Sequence, residues 1–185
     1  MGADTHYPRY RCARRPSKLS GWRNSEVRRL LQVALAGVLM HPYPHTYAVS
    51  AQGRSAGAVS VNGSELPTLE TAPPPQFDGP GGTWSPETLL CAALADCFIL
   101  TFRAVSRAAR FEWAQLECRV EGILERVERS ARFTHFTTFA RLTIPQTTDA
   151  SKARDLLERA EHGCLISNSV RGERKLEIEV VTASG

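Results

Sequence analysis

Five cysteines, at positions 12, 91, 97, 118 and 164, are the residues of this 185-residue chain with the most reactive chemistry. A cysteine with a lowered pKa forms a thiolate, which is a strong nucleophile and is readily oxidised. No two of them form a Cys-x-x-Cys pair, and their number is odd, so we expect free thiols in a reducing, cytoplasmic compartment. Zinc would need clustered Cys and His ligands at short spacings, so we predict no metal site and no cofactor.

Two of these thiols lie in a stretch, residues 84–102, that is predicted to form one long helix. Ser85 is a good N-cap, Pro86 suits the first helical position, and Glu87 places a negative charge near the positive end of the helix dipole. Residues 89–100 are apolar on every side, apart from one aspartate and the two thiols. A helix that is apolar all round is typical of a buried central helix, so we expect this helix to organise the fold.

Spacing along the helix separates the two thiols. Cys91 and Cys97 are six residues apart, about 240° around the helix axis, so Cys91 is predicted to pack in the core. Cys97 lies about three turns from the helix start, beyond the reach of the dipole, and burial alone would raise its pKa. A nearby cation is therefore expected if Cys97 is to be a thiolate. Cys118 alternates with Leu116 and Val120 in a predicted strand and is also expected in the core.

The remaining pattern predicts strands on both sides of the long helix and a second helix near the C-terminus. The predicted strands are residues 47–51, 58–61, 66–70, 115–127, 132–144 and 175–181; a loop is predicted at 73–82 and a helix at 149–162. The order is hairpin, helix, hairpin, helix and final strand, and it predicts an α+β fold with an antiparallel sheet.

Residues 1–44 differ in composition from residues 45–185, which form the predicted folded domain. All of the excess positive charge lies in the first 45 residues, and the rest of the chain is slightly acidic. The sequence has no basic stripe interleaved with aromatic residues, so nucleic-acid binding is not expected. It also contains no run of 18 or more apolar residues, so no membrane span is predicted. The N-terminal extension could be a targeting segment, an ordered helix, or sequence upstream of a true start at Met40.

Three short motifs resemble the OsmC/Ohr family of thiol-dependent peroxidases, which act on organic hydroperoxides. They are Ser85-Pro-Glu-Thr-Leu89, Ala95-Asp-Cys-Phe98 and Gly163-Cys-Leu-Ile-Ser-Asn168. The resemblance extends over about residues 45–183. It implies an intertwined α+β homodimer, with antiparallel sheets wrapped around long central helices.

The same resemblance implies a two-cysteine peroxidase. Cys97 would attack the hydroperoxide, Cys164 would resolve the oxidised Cys97 by forming a disulfide, and an external dithiol of the lipoyl type would reduce that disulfide. Glu87 and Arg54 would complete the site, Arg54 as the cation beside the thiol. The alternative is a thiol-based redox sensor or a ligand-binding dimer of the same fold that turns over little hydroperoxide.

Two features of the motifs raise structural questions. Asp96 directly precedes Cys97, and an adjacent carboxylate would oppose thiolate formation unless it points away. Glu87 and Cys97 are ten residues apart, roughly 15 Å along one straight helix, which is too far for one arginine side chain to contact both. Either the helix is broken, or Glu87 serves the Cys97 of a second chain that lies antiparallel to the first.

Overall fold

The computed structural model describes residues 42–183, and a compact unit begins at Ala48. The predicted boundary at residue 45 is close to the start of that unit. The predicted extension, residues 1–44, falls almost entirely outside the described residues, as does Met40, so the three interpretations of it stay open.

The first three strands form a small antiparallel sheet. They are β1 (Val49–Gln52), β2 (Val59–Gly63) and β3 (Leu69–Thr71), and β2 lies in the middle. A loop that holds Gly57 in the left-handed region, with φ of 93°, joins β1 to β2. The prediction of a hairpin followed by a third short strand is confirmed.

A loop with one short 3₁₀ turn then leads into the long helix α1 (Pro86–Ala108). Ser85 caps this helix: its hydroxyl accepts the Thr88 N–H at 3.2 Å, and the Thr88 hydroxyl accepts the Ser85 N–H at 2.9 Å. This reciprocal capping box and the proline at the first position explain why the helix begins there. The helix continues without a break for 23 residues.

Only one face of α1 is covered within a single chain. Its buried side chains are Leu94, Phe98, Phe102 and Ser106, whereas Leu100 is 50% exposed. The expectation of a helix buried all round is therefore wrong for the isolated chain. Helix α1 is long and apolar enough to cross a membrane, but the core helix of a soluble protein can have the same length and composition. The absence of a membrane span stays a prediction.

The second sheet contains β4 (Gln115–Val127), β5 (Ser130–Ile144) and β6 (Glu173–Thr182). Strands β4 and β5 form the predicted antiparallel hairpin, but β6 pairs with the other edge of β5 in parallel. The second sheet is therefore mixed, and the prediction of a wholly antiparallel sheet is wrong here. The reason is the helix between β5 and β6, which returns the chain to the end at which β5 begins. The prediction of an α+β fold is confirmed.

Helix α2 (Ala150–Gly163) makes that connection. Asp149 caps it, and the Asp149 carboxylate accepts the Ser151 N–H at 2.8 Å. Its apolar residues recur with helical spacing and face the core, as predicted. The core shared by α1, α2 and the second sheet contains Phe98, Phe102, Phe111, Leu116, Ala140, Leu142, Ile144, Ala153, Leu156, Leu157 and Ala160.

Phe102 is the side chain on which we expect this core to depend most. It is fully buried, and its ring meets the edge of Trp113 at 5.3 Å between centroids. Replacing Phe102 with alanine should lower the free energy of unfolding by about 3 to 5 kcal/mol, since it leaves a cavity as well as losing apolar contact. Chemical denaturation would measure this change. Phe77→Ala, at a 53% exposed ring, is the matched control, and equal losses in both variants would contradict the assignment of the core.

Candidate active site

Cys97 lies at the middle of α1 with its side chain half-buried. One turn further on, the Thr101 hydroxyl donates to the Cys97 carbonyl oxygen at 2.7 Å and lies 3.9 Å from Sγ. Residues four apart share a helix face, and this places a hydroxyl beside the thiol. The thiol thus has a polar neighbour supplied by its own helix.

Cys164 follows directly on α2 and is fully buried. Its Sγ accepts the Ser167 N–H at 3.5 Å, and its carbonyl oxygen accepts the Asn168 N–H at 3.0 Å. The chain then makes a 3₁₀ turn over Ser167–Ser169. This turn fixes the Cys164 side chain against the middle of α1.

The two thiols predicted to act together are neighbours in the structure. The Cys164 side chain lies close enough to Cys97 to help lower the pKa of its thiol, although 67 positions separate them in the sequence. Helix α2 and the turn after it pack on α1 and bring the two sulfur atoms together. Such proximity is what formation of a disulfide between them would require.

Hydrogen bonds hold the pKa of the Cys97 thiol below its ordinary value. Burial is the largest single influence and acts in the opposite direction, but hydrogen bonds outweigh it together. The backbone of Ile166 and Leu165 and the side chains of Cys164 and Thr101 provide those hydrogen bonds. Among residues 42–183 no cation contributes to this lowering, which comes from hydrogen bonds to the charged form of the thiol.

The pKa of the Cys164 thiol is shifted in the opposite direction, above its ordinary value. Burial raises its pKa, and the adjacent Cys97 raises it further, while hydrogen bonds from Ser167 only partly compensate. One site thus holds a thiol whose pKa is lowered beside a thiol whose pKa is raised. Pairs of groups whose pKa values are pushed apart in this way are suited to different roles in one reaction.

Glu87, the third predicted site residue, does not meet either of these thiols within one chain. It lies in the first turn of α1, and because α1 is unbroken the separation of ten residues from Cys97 is maintained. Glu87 borders a cavity of about 330 Å³ that is also lined by Phe77, Cys91 and Phe133. Its Oε2 atom is buried without a hydrogen-bond partner, an arrangement that is unfavourable unless another group completes it.

Arg54, the fourth predicted residue, lies in the exposed loop between β1 and β2. Across residues 42–183, no hydrogen bond or ion pair involves its guanidinium group. A single chain therefore does not place Arg54 beside Cys97 or Glu87, and its role stays a prediction.

The other thiols and Asp96 behave as neighbours of the site and not as parts of it. Asp96 is exposed, and its carboxylate is not among the groups that shift the pKa of Cys97. Burial raises the pKa of Cys91, which lies so close to Gly122 that a Cβ there would come within 3.1 Å of its sulfur. Burial, Glu161 and Cys164 together raise the pKa of Cys118 to about 12.

Three polar residues of the site were not predicted. Thr101 could have been found from its spacing of four residues from Cys97. Ser167 lies in the quoted motif, but only the turn geometry reveals that it contacts Cys164. Glu161, one turn before Cys164, carries no sequence signal that separates it from the exposed glutamate at 158.

The fold and the site define a class: an α+β chain with a helical thiol of lowered pKa, held against a buried second thiol. Residues 79–179 match the family model of the OsmC-like proteins, and this chain belongs to that family. The resemblance seen in the three motifs is thereby confirmed.

Relatives and solved structures agree with this membership. The chain is 31% identical to the uncharacterized protein YmaD of Bacillus subtilis over 60% of this chain and 77% of the relative. It is 25% identical to the peroxiredoxin OsmC of Escherichia coli, over 69% of this chain and 87% of that protein. A crystal structure of an organic hydroperoxide resistance protein OsmC from Legionella pneumophila superposes with a TM-score of 0.61, at 24% identity, over 75% and 98% of the two chains.

Proposed function

We propose that this protein is a two-cysteine peroxidase that reduces organic hydroperoxides to alcohols. The observation that carries the proposal is the contact between Cys97, whose pKa is lowered, and Cys164, whose pKa is raised. A peroxidatic cysteine must ionise near neutral pH, whereas its resolving partner can stay protonated until it is needed. The peroxiredoxin and hydroperoxide-resistance relatives support the same chemistry.

In the first step, the Cys97 thiolate attacks one oxygen of the hydroperoxide. The O–O bond breaks, the alkoxide takes a proton and leaves as an alcohol, and Cys97 becomes a sulfenic acid. The Cys164 sulfur then attacks the Cys97 sulfur, so that an S–S bond forms and water leaves. An external dithiol reduces this disulfide by thiol–disulfide exchange, and a lipoyl-type dithiol is the proposed reductant.

A homodimer is the proposed working form. The face of α1 that carries Leu100 is apolar and uncovered in one chain, and an apolar patch of this kind usually marks an interaction surface. A second chain running antiparallel along α1 would bring its Glu87 toward the Cys97 of the first. Within the part of the chain that the structure describes, Glu87 has a buried oxygen without a hydrogen-bond partner and the Arg54 guanidinium forms no ion pair, so each could complete the other across the interface.

The compartment and the substrate class follow from the same chemistry. Four described cysteines are free, so a reducing compartment such as the cytoplasm is proposed. Leu100, about one turn from Cys97 on α1, and Leu165, next to Cys164, are apolar and exposed, and such a surface would favour an alkyl or lipid hydroperoxide over hydrogen peroxide.

Replacing Cys164 with serine should separate the two steps. We expect Cys97 still to consume the first equivalent of cumene hydroperoxide, because its thiolate keeps most of its hydrogen bonds. Steady-state turnover with dihydrolipoamide should fall roughly tenfold or more, because the sulfenic acid can no longer form the internal disulfide. Peroxide consumption and mass spectrometry of the Cys97 peptide would measure both effects, with sulfinic acid accumulating in the variant.

Cys118→Ser is the matched control, since Cys118 is also partly buried near Cys164 but has a strongly raised pKa. It should turn over like the wild type. If the wild-type protein oxidises Cys97 once and never consumes hydroperoxide catalytically, the protein is a redox sensor and not a peroxidase. If neither thiol reacts, the thiols are structural and the fold serves to bind a ligand or a partner.

A further inference from the structure

A buried polar cluster lies on the side of Cys164 that faces away from Cys97. Ser167 is almost fully buried and contacts Cys164 through its backbone N–H at 3.5 Å and through its side chain. The Ser167 side chain is also close enough to the carboxylate of Glu161, on the last turn of α2, to lower its pKa. Cys97, Cys164, Ser167 and Glu161 thus lie in series, each near enough to the next to influence its pKa.

Glu161 is unusual among the carboxylates of the chain. Its side chain is only 14% exposed, and its Oε2 atom is buried without a hydrogen-bond partner. The nearest cation is Arg174, whose Nη1 lies 3.7 Å from Oε1 and which also donates to Asn168 at 3.0 Å. A long contact of this kind orients the carboxylate but leaves one oxygen available, and that oxygen could accept a proton.

We infer that Glu161 is a positioning residue that accepts the proton of Cys164, through the Ser167 hydroxyl, when the disulfide forms. This inference rests on the proposed two-cysteine reaction. Cys164 is fully buried, so bulk water does not reach its proton easily. The hydroxyl of Ser167 can accept one proton and donate another, as a relay requires.

The Cys164 proton moves to the Ser167 oxygen while the Ser167 proton moves to Glu161, and the Cys164 sulfur attacks the Cys97 sulfur. The S–S bond forms as the S–OH bond of Cys97 breaks, and the departing hydroxide takes a proton from solvent and leaves as water. Glu161 then releases its proton to solvent, so the step consumes no net proton. The sulfenic acid is the oxidant, and no outside oxidant or reductant takes part.

The surroundings of Glu161 raise the pKa of its carboxyl group above the ordinary value. Burial raises its pKa, while Arg174 on β6, His162 on α2 and the Ser167 hydroxyl lower it by less. Cys118 on β4 also lies close enough for Glu161 to raise the pKa of its thiol. A carboxylate whose pKa is raised is a stronger base than an exposed one and is better matched to a thiol.

Glu161→Gln tests the inference because it keeps the shape of the side chain and removes only its basicity. Reduced protein is mixed with one equivalent of cumene hydroperoxide and quenched over time, across about pH 5 to 9. Cys97 oxidation should be unchanged, whereas disulfide formation at neutral pH should slow by roughly 100-fold. The wild-type rate of disulfide formation should rise as Glu161 ionises, and the variant should lack this rise. Glu161→Asp should restore part of the rate.

Glu158→Gln is the control, because Glu158 lies on the exposed face of the same helix one turn earlier. It should behave like the wild type in both steps. Equal rates of disulfide formation and equal pH profiles in wild type and Glu161→Gln would overturn the inference while the peroxidase proposal stands. Slowing of both steps by the same factor would indicate a structural role and would also overturn it. If wild-type Cys97 is not oxidised at all, the peroxidase proposal fails first, and this inference with it.

Discussion

Replacing Cys97 with serine is expected to lower the rate of organic hydroperoxide consumption by roughly 10⁴-fold or more. The reason is electronic and not steric. A serine hydroxyl at this position would receive the same hydrogen bonds from the backbone of residues 165 and 166, but it does not ionise near neutral pH. Sulfur also accepts the peroxide oxygen to give a sulfenic acid, which no alcohol can do. Steady-state peroxide assays with dihydrolipoamide would measure the loss.

Cys91→Ser is the sharpest control for that experiment. Cys91 lies on the same helix and is also partly buried, but burial raises its pKa and its contacts are with Gly122 and not with Cys164. This variant should keep the activity of the wild type. Full activity in Cys97→Ser, or equal losses in the two variants, would contradict the assignment of Cys97 as the nucleophile.

The elements of the fold could be predicted because each depends on local patterns. Ser85 and Pro86 mark the start of α1, and the alternation through Phe136, Thr138 and Ala140 identifies the buried face of β5. The parallel pairing of β6 could not be predicted, since β6 alternates equally well in either direction. Its direction is fixed by the packing of α2 on the core, which is a long-range effect.

The candidate site could likewise be predicted only in part. The pairing of Cys97 with Cys164 was accessible through a resemblance of short motifs, and the structure brings the two thiols into contact. The cause of the lowered pKa of Cys97 could not be predicted from the sequence. It includes backbone hydrogen bonds from Ile166 and Leu165, and because every residue except proline carries a backbone N–H group, no side-chain pattern reveals them. The composite site shared with a second chain was reached only from the ten-residue spacing of Glu87 and Cys97, and it stays a prediction.

The strongest test of the proposed dimer uses two impaired variants that repair each other. Glu87→Gln should lower turnover by about 100-fold, because Glu87 is proposed to hold Arg54 beside the thiolate of the partner. Cys97→Ser chains lack the nucleophile but keep Glu87. Unfolding the two variants together and refolding them as a mixture allows mixed dimers to form, and the measurement is hydroperoxide turnover of the mixture.

In a mixed dimer, one site would combine the Cys97 of one chain with the Glu87 of the other and would be complete, while the second site would lack both. Random pairing makes half of the dimers mixed, so an equal mixture should recover about a quarter of wild-type activity by the symmetry of the dimer. If Glu87 instead served the Cys97 of its own chain, no mixed dimer would contain a complete site. Activity no higher than that of the Glu87→Gln chains alone would therefore reject the composite site. The unbroken helix, which keeps Glu87 and Cys97 about 15 Å apart, is the reason that we expect recovery.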